Sequence, residues 1–285
     1  MKPLPPEKIA SYTLAQLRKR TAVPIDVVAD REALAVQFAR TILQRVRTAG
    51  KRKKRVVIIM PVGPTGQWRQ MADIAAAEKI DLSRLSIVSM DEYLTPDASR
   101  NVPTSDPFSF TDFIKGQFAQ KAIRKCGFKK QNWIVPNPKD TSAVEATIER
   151  WGGVDVAFAG IGLNGHIAFN EPPAASECWT DESFAKSPTR IIKLAETTKA
   201  TNSIFGTGGD LGRVPDFAVT IGMKEILSAR RVHVFLDWHW QRFVLRRTLL
   251  GPVSRSFPAS FLQTHKDVRF TITQEVATPH SLVPE

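Results

Sequence analysis

The sequence has few cysteines and no long apolar segment near its start, and each shortage excludes a class of protein. The two cysteines among its 285 residues, Cys126 and Cys178, are too few for a disulfide framework and are not spaced as metal ligands. Residues 1–20 contain no apolar stretch of the length that a signal peptide or a membrane anchor requires. We therefore predict a cytoplasmic protein with no membrane partner and no bound metal.

The sequence also lacks the glycine motifs of the common nucleotide-binding folds. Its turn at Pro61–Gln67 matches neither the Walker pattern nor the three spaced glycines of dinucleotide-binding folds. No zinc-finger or RNA-recognition motif accompanies the net charge of +12, which attracts nucleic acids and phosphorylated metabolites alike. The basic run Lys51–Arg55 is compatible with a nucleic-acid patch, but we interpret it as a solvated connection between a helix and a strand. We predict no nucleic-acid partner.

Apolar patterning predicts alternating strands and helices. Hydrophobic residues make up 42% of the chain, enough for the core of one large domain. A helix capped by Asp30 is predicted from apolar residues that recur every four positions, at Leu34, Phe38, Ile42 and Val46. Further helical patterns occupy Ser142–Trp151 and Trp240–Leu250. Short apolar runs predict buried strands at Pro24–Val28, Val56–Met60, Leu85–Met90, Val154–Ala159, Phe217–Ile221 and Val232–Leu236. The alternation predicts a layered α/β fold with a mostly parallel sheet.

The domain limits follow from the same patterning. We predict a single α/β domain over residues 25–271, an amino-terminal extension over 1–24 and a carboxyl-terminal tail over 272–285, because both ends are polar.

Polar or glycine-rich clusters directly follow three of the predicted strands. They are Gly63–Gly66, Asp91–Tyr93 and Gly160–Glu171. Because ligands bind beyond the carboxyl ends of the strands in open α/β sheets, we expect these clusters to converge on one site.

Each cluster has a chemical and a structural interpretation. The turn Gly63-Pro64-Thr65-Gly66 presents backbone N–H groups to an anion, or it is simply a tight turn of small residues. Asp91 is placed to act as a general base, and the alternative is a capping carboxylate. His166, followed five residues later by Glu171, forms a candidate proton-transfer pair in a glycine-rich loop, or a structural contact.

Two segments carry a family resemblance. Met90-Asp91-Glu92-Tyr93 and Gly165–Pro172 resemble, in order and separation, the two signature segments of the glucosamine-6-phosphate deaminase family. The resemblance extends over about residues 25–270 and includes Ala200–Ser203. It implies a Rossmann-like three-layer sandwich of the kind shared with ribose-phosphate isomerases, CoA transferases and 6-phosphogluconolactonases. It also implies a sugar-phosphate substrate and a mechanism without metal or cofactor.

The resemblance also implies residue roles. His166 would promote opening of the sugar ring, with Glu171 as its carboxylate partner. Asp91 would move a proton between C2 and C1, after which ammonia leaves and a ketose phosphate remains. Asn164 would join the catalytic group. Substrate contacts are predicted at Gly63, Pro64, Thr65, Gly66, Glu92, Gly165 and Arg242.

Three positions depart from the family pattern. Asn164 stands where many members carry an aspartate. Ile204 and Gln241 occupy the positions of a phosphate-binding arginine and lysine, and Arg242 is the nearest substitute. The tryptophans beside Gln241 are interpreted either as packing or as an apolar platform for a different sugar.

These departures keep other functions open. A 6-phosphogluconolactonase-like hydrolase is one alternative, and a non-catalytic protein that binds a sugar derivative is another. A homo-oligomer is compatible with the sequence, which does not specify the oligomeric state.

Overall fold

The computed structural model describes residues 6–51 and 54–279 of the chain. Residues 1–5, 52–53 and 280–285 lie outside this range, and they include Arg52 and Lys53 of the basic run.

Seven parallel strands form the central sheet. The strands of the described residues are β1 Ile25–Val28, β2 Val56–Met60, β3 Leu85–Ser89, β4 Asp91–Tyr93, β5 Trp133–Ile134, β6 Val156–Ala159, β7 Arg190–Lys193, β8 Phe217–Thr220, β9 Val232–Leu236 and β10 Val268–Thr273. The central sheet has the order β1-β10-β9-β6-β2-β3-β5, and every pairing in it is parallel. Every residue of β2, β3, β6 and β9 is buried, as expected for strands covered on both faces. The predicted α/β class and parallel sheet are confirmed.

Helices cover both faces of this sheet. They are α1 Pro6–Ala10, α2 Leu14–Arg20, α3 Arg31–Lys51, α4 Gln67–Ala77, α5 Phe110–Ile114, α6 Gln120–Cys126, α7 Ser142–Arg150, α8 Asp181–Ala185, α9 Glu196–Gly206, α10 Met223–Leu227, α11 Gln241–Leu250 and α12 Gln274–Ala277. The apolar stripe predicted for α3 is buried, and Phe38 stacks on Phe235 of β9 with ring centroids 3.9 Å apart. Asp30 Oδ1 accepts from the Ala33 amide at 2.9 Å, so the predicted cap is present. Within residues 6–51 and 54–279, no helix has the length and apolar character of a membrane span.

The run Phe217–Ile221 was predicted in the parallel sheet, and this placement is wrong. Its strand β8 lies in a separate antiparallel sheet with the order β4-β8-β7. A short buried apolar run fits a pleated sheet of either kind, so its composition does not reveal which sheet it joins. The two sheets meet at Met90, whose amide donates to the Met60 carbonyl at 3.0 Å and whose carbonyl accepts from the Ile221 amide at 2.8 Å.

Segments predicted to lie outside the domain contribute to its core. β10 continues to Thr273, two residues past the predicted limit at 271. Near the other end, Leu17 of α2 is fully buried. The Arg246 guanidinium of α11 donates to the carbonyl of Tyr12 at 2.7 Å and to that of Ala277 at 2.9 Å. The packing therefore extends beyond residues 25–271, because a few anchoring residues suffice to hold segments of polar composition.

Candidate active site

A cavity of about 390 Å³ lies at the carboxyl ends of the central strands. The three segments that follow β2, β3 and β6, which the sequence predicted to converge, each contribute residues to its lining. The turn after β9, the last turn of α9 and residues 107–113 also line it. The position agrees with the general rule for ligand sites in open parallel sheets.

Asp91 occupies the first position of β4, where the chain passes from the central sheet into the small sheet. It pairs with Thr220 of β8, and its side chain, only 7% exposed, lines the cavity. Burial raises the pKa of Asp91 to about 8, and the negative charge of Glu92 adds to the shift. Asp91 is therefore a carboxyl group that becomes a base just above neutral pH.

Glu92, predicted to contact the substrate, has a structural role instead. It is fully buried and does not line the cavity, because successive side chains of a strand point to opposite faces. Its Oε2 accepts from the Thr111 amide at 2.7 Å and from the Thr111 hydroxyl at 2.6 Å, while Oε1 accepts from the Phe110 amide at 2.9 Å. Burial raises the pKa of Glu92 despite these bonds. The carboxylate thus holds the start of α5.

His166 lines the cavity, with Asn164 and Glu171 beside its Nδ1 atom. Asn164 Nδ2 donates to Glu171 Oε2 at 2.6 Å, which directs Asn164 Oδ1 towards His166 Nδ1 at 2.8 Å. Glu171 Oε2 lies 3.3 Å from the same nitrogen. Two acceptors at Nδ1 favour the tautomer with its proton there, which leaves the lone pair of the ring on Nε2. Asn164 therefore orients the ring, although it lacks the charge of an aspartate.

Glu171 is set to remain ionised beside His166. Burial alone raises the pKa of Glu171, but the hydrogen bond and charge of His166, with hydrogen bonds from Thr198 and Asn164, lower the pKa below its usual value. The Thr198 hydroxyl also lies 3.2 Å from His166 Nδ1. Sequence reasoning missed Thr198, which lies two residues before the Ala200–Ser203 segment of the family resemblance.

Two glycines fix the loop that carries His166. Gly165 has a φ of +87°, and a Cβ there would lie 2.4 Å from the Phe257 ring. Gly165 does not line the cavity, so it serves the turn and not the substrate contact predicted for it. At Gly162, which does line the cavity, a Cβ would lie 2.1 Å from His166 Cε1. The imidazole occupies the space that a side chain at residue 162 would need.

Gly162→Ala is therefore expected to lower the kcat of a reaction that uses His166 about 100-fold, because the added methyl group displaces the imidazole from its position. Steady-state kinetics checks the loss, and thermal unfolding monitored by circular dichroism checks that the variant is folded. Gly116→Ala is the matched control, since a Cβ at Gly116 would meet nothing within 4 Å. Wild-type kcat in Gly162→Ala would contradict the assigned position of the ring.

The predicted anion turn borders the cavity in part. Gly63, Pro64 and Thr65 line it, whereas Gly66 does not. Gly66 has a φ of +101° and precedes α4 without a side-chain cap. The turn therefore brings the start of α4 close to the cavity.

Arg242 was predicted to contact the substrate, but it does not line the cavity. Its guanidinium Nε donates to the Glu275 carbonyl at 3.0 Å, because this face of α11 packs against α12. The predicted substitute for a phosphate-binding cation is thus directed elsewhere.

Ile204 and Gln241, which occupy the positions predicted to lack a phosphate-binding cation, have different surroundings. Ile204 is 66% exposed and does not line the cavity. Gln241 is buried, donates to the Ile161 carbonyl at 2.9 Å and accepts from the amides of Asp237 and Trp238 at 2.9 and 3.0 Å. Gln241 lines the cavity, and its amide group joins two loops through these three hydrogen bonds.

No lysine or arginine of residues 6–51 and 54–279 lines the cavity. The same part of the chain contains no group of three or more His, Cys, Asp or Glu side chains placed to hold a metal ion. The titratable groups that face the cavity are Asp91, His166, Tyr93 and Asp237. The chemistry that these groups themselves offer is proton transfer.

Known proteins resemble this chain in sequence. Glucosamine-6-phosphate deaminase of Lachnoclostridium phytofermentans is 32% identical over 211 residues, which cover 72% of this chain and 80% of that protein. The protein of the same name from Halothermothrix orenii is 31% identical over 221 residues, covering 75% and 83%. No protein-family model matches the sequence.

Solved structures resemble it in fold. A monomeric glucosamine-6-phosphate deaminase superposes with a TM-score of 0.76 at 26% identity, covering 90% of this chain and 99% of that one. A 6-phosphogluconolactonase from Trypanosoma brucei gives a TM-score of 0.66 at 17% identity, with coverage of 90% and 97%. The second likeness concerns the fold alone.

Proposed function

Since the chain belongs to the glucosamine-6-phosphate deaminase family, we propose that it opens the ring of an amino sugar and converts the sugar into a ketose and ammonia. The observation that carries the proposal is the arrangement of Asp91 and His166 on one cavity, with Asn164 and Glu171 holding the histidine ring. A cytoplasmic location is part of the proposal, because Cys126 and Cys178 are both free thiols.

Ring opening is assigned to His166. Its Nε2 atom carries a proton between the anomeric hydroxyl and the ring oxygen, so that the C1–O5 bond breaks and an open-chain aldehyde forms. Asn164 and Glu171 keep the Nδ1 proton in place, and the charge of Glu171 stabilises the imidazolium form while it exists.

Proton transfer along the carbon chain is assigned to Asp91. Its carboxylate removes the proton from C2 to give an enediol-like intermediate that carries the amino group, and the same carboxyl group returns the proton to C1. Water then adds to the resulting C2 iminium carbon, and ammonia leaves. One water is consumed, a ketose and ammonia are formed, and no redox step occurs.

The test is the release of ammonia and ketose by the purified protein. Glucosamine 6-phosphate is the first substrate to assay, because the relatives carry its name; galactosamine 6-phosphate and glucosamine follow. Ammonia and ketose should appear in equal amounts, and the denatured protein should form neither. Folded protein that releases no ammonia from any of the three would overturn the proposal.

The lactonase alternative has weaker support. It rests on likeness of fold at 17% identity, whereas membership of the deaminase family rests on sequence over most of the chain. Hydrolysis of 6-phosphogluconolactone without ammonia release from amino sugars would favour it.

A further inference from the structure

An aromatic pair walls the end of the cavity where the family resemblance places a phosphate group. Phe205 and Trp238 line it with ring centroids 4.2 Å apart, and we call this pair the aromatic wall. Phe205 follows Ile204 directly, and the Trp238 amide donates to Gln241 at 3.0 Å. The wall thus adjoins both positions at which the sequence lacks an expected cation.

An ion pair lies beside the aromatic wall. Asp237 lines the cavity and is only 4% exposed. Its Oδ2 accepts from Arg31 Nε at 2.9 Å, and the Arg31 guanidinium lies 3.7 Å from the Trp238 ring centroid. Arg31 is thereby engaged by Asp237 and Trp238, and it does not itself line the cavity.

The lining offers a dianion no positive partner. Of the two carboxyl groups that face the cavity, Asp91 has a pKa raised to about 8 and Asp237 is paired with Arg31, and no lysine or arginine of the described residues lines the cavity. A phosphate dianion would lose its hydration here without a compensating cation, whereas the uncharged end of a sugar loses far less. The formal charge of +12 on the whole chain therefore lies outside this site.

The turn before α4 is the one element here that favours an anion. Of its lining residues Gly63, Pro64 and Thr65, the proline has no N–H group to offer. The amides of the other two can also donate to the hydroxyl oxygen of a neutral sugar. The turn therefore does not require a phosphate on the ligand.

We propose that this site takes amino sugars that carry no phosphate at the 6-position, with the uncharged end of the sugar against the aromatic wall. The inference rests on the proposed function and names its substrate class. Sugar rings pack their C–H faces on aromatic side chains, and Asp237 and the turn amides are partners for the hydroxyl groups.

The experiment compares kcat/KM for glucosamine and for glucosamine 6-phosphate in the ammonia-release assay. Two charge-assisted contacts to a phosphate would favour the phosphorylated sugar by about 100- to 10,000-fold. We expect glucosamine to be turned over at least as efficiently as its 6-phosphate. A kcat/KM for glucosamine equal to or above that for its 6-phosphate supports the inference, and a reproducible preference for the phosphate overturns it.

Two variants test the wall and its charge. Phe205→Ala should lower kcat/KM for glucosamine about 5- to 10-fold through loss of ring packing. Leu211→Ala is its control, since Leu211 is 40% exposed and does not line the cavity. Asp237→Asn should raise the ratio of phosphate to glucosamine kcat/KM about 10-fold by removing a negative charge. Asp26→Asn is its control, because Asp26 is also paired with an arginine, at 3.4 Å, but does not line the cavity.

The outcomes separate the inference from the proposed function. Turnover of both sugars with a strong preference for the phosphate overturns the inference and leaves deamination intact. Ammonia from none of the three amino sugars overturns the proposed function, and the inference with it. Because Asp237 is buried, circular dichroism checks whether the Asp237→Asn variant is folded. If it is not, the Phe205→Ala variant still tests whether the wall contacts the sugar, since Phe205 is partly exposed.

Discussion

Asp91→Asn is expected to lower kcat for ammonia release about 1,000-fold, since the amide cannot accept the C2 proton. Glucosamine and glucosamine 6-phosphate should lose turnover alike, because the base acts at C2 whatever the 6-position carries. In the wild type, kcat/KM should rise with pH up to about 8, because burial, with the charge of Glu92, raises the pKa of Asp91 to that value and only the ionised form is a base. The variant should lose this rise together with its activity.

The matched control is Asp216→Asn. Asp216 is 52% exposed, pairs with Lys199 at 2.5 Å and does not line the cavity. Its variant should keep the wild-type kcat and pH profile. If Asp91→Asn kept more than a tenth of wild-type kcat, Asp91 would not be the base.

Asp91→Asn is also expected to stabilise the fold at alkaline pH. The pKa of Asp91 lies above its unfolded value, so the unfolded chain releases this proton first as the pH rises from about 4 to 8. Stability is consequently lost over that window, on the order of 6 kcal/mol from Asp91 if the whole shift is expressed. Asparagine does not titrate and avoids the loss.

Urea unfolding of both proteins at pH 5 and pH 8 measures this effect. The free energy of unfolding of the variant should exceed that of the wild type by several kcal/mol more at pH 8 than at pH 5. The Asp216→Asn control should show no such gain at pH 8, since Lys199 lowers the pKa of Asp216 through its hydrogen bond. If the free energies of unfolding of wild type and Asp91→Asn differed by the same amount at both pH values, the pKa of Asp91 would not be raised by burial.

Most of the fold and the centre of the site follow from the sequence. The strand runs at 56–60 and 232–236 are confirmed because short, largely apolar runs of five residues suit buried strands, and His233 is the one polar residue among them. Asp91 and His166 lie in one cavity because both follow the carboxyl ends of such strands. Chain order and local pattern carry this information.

Contacts between distant segments do not follow from local pattern. Glu92 resembles a site residue in sequence, and its partners at α5 lie 18 and 19 residues away. Arg242 is adjacent to Gln241, yet on a helix adjacent residues point in different directions, and Arg242 packs on α12. The aromatic wall consists of residues 205 and 238, which lie in distant segments of the chain, so no single segment of the sequence predicts it.

The end of β8 contacts both Asp91 and the loop that carries His166. Asp91 pairs with Thr220 across the small sheet. One residue further on, the Ile221 carbonyl accepts from Asn170 Nδ2 at 2.9 Å, within the loop that carries His166. The end of β8 therefore helps to place both Asp91 and the loop that carries His166, and a substitution that shifts Thr220 or Ile221 is expected to disturb both groups together.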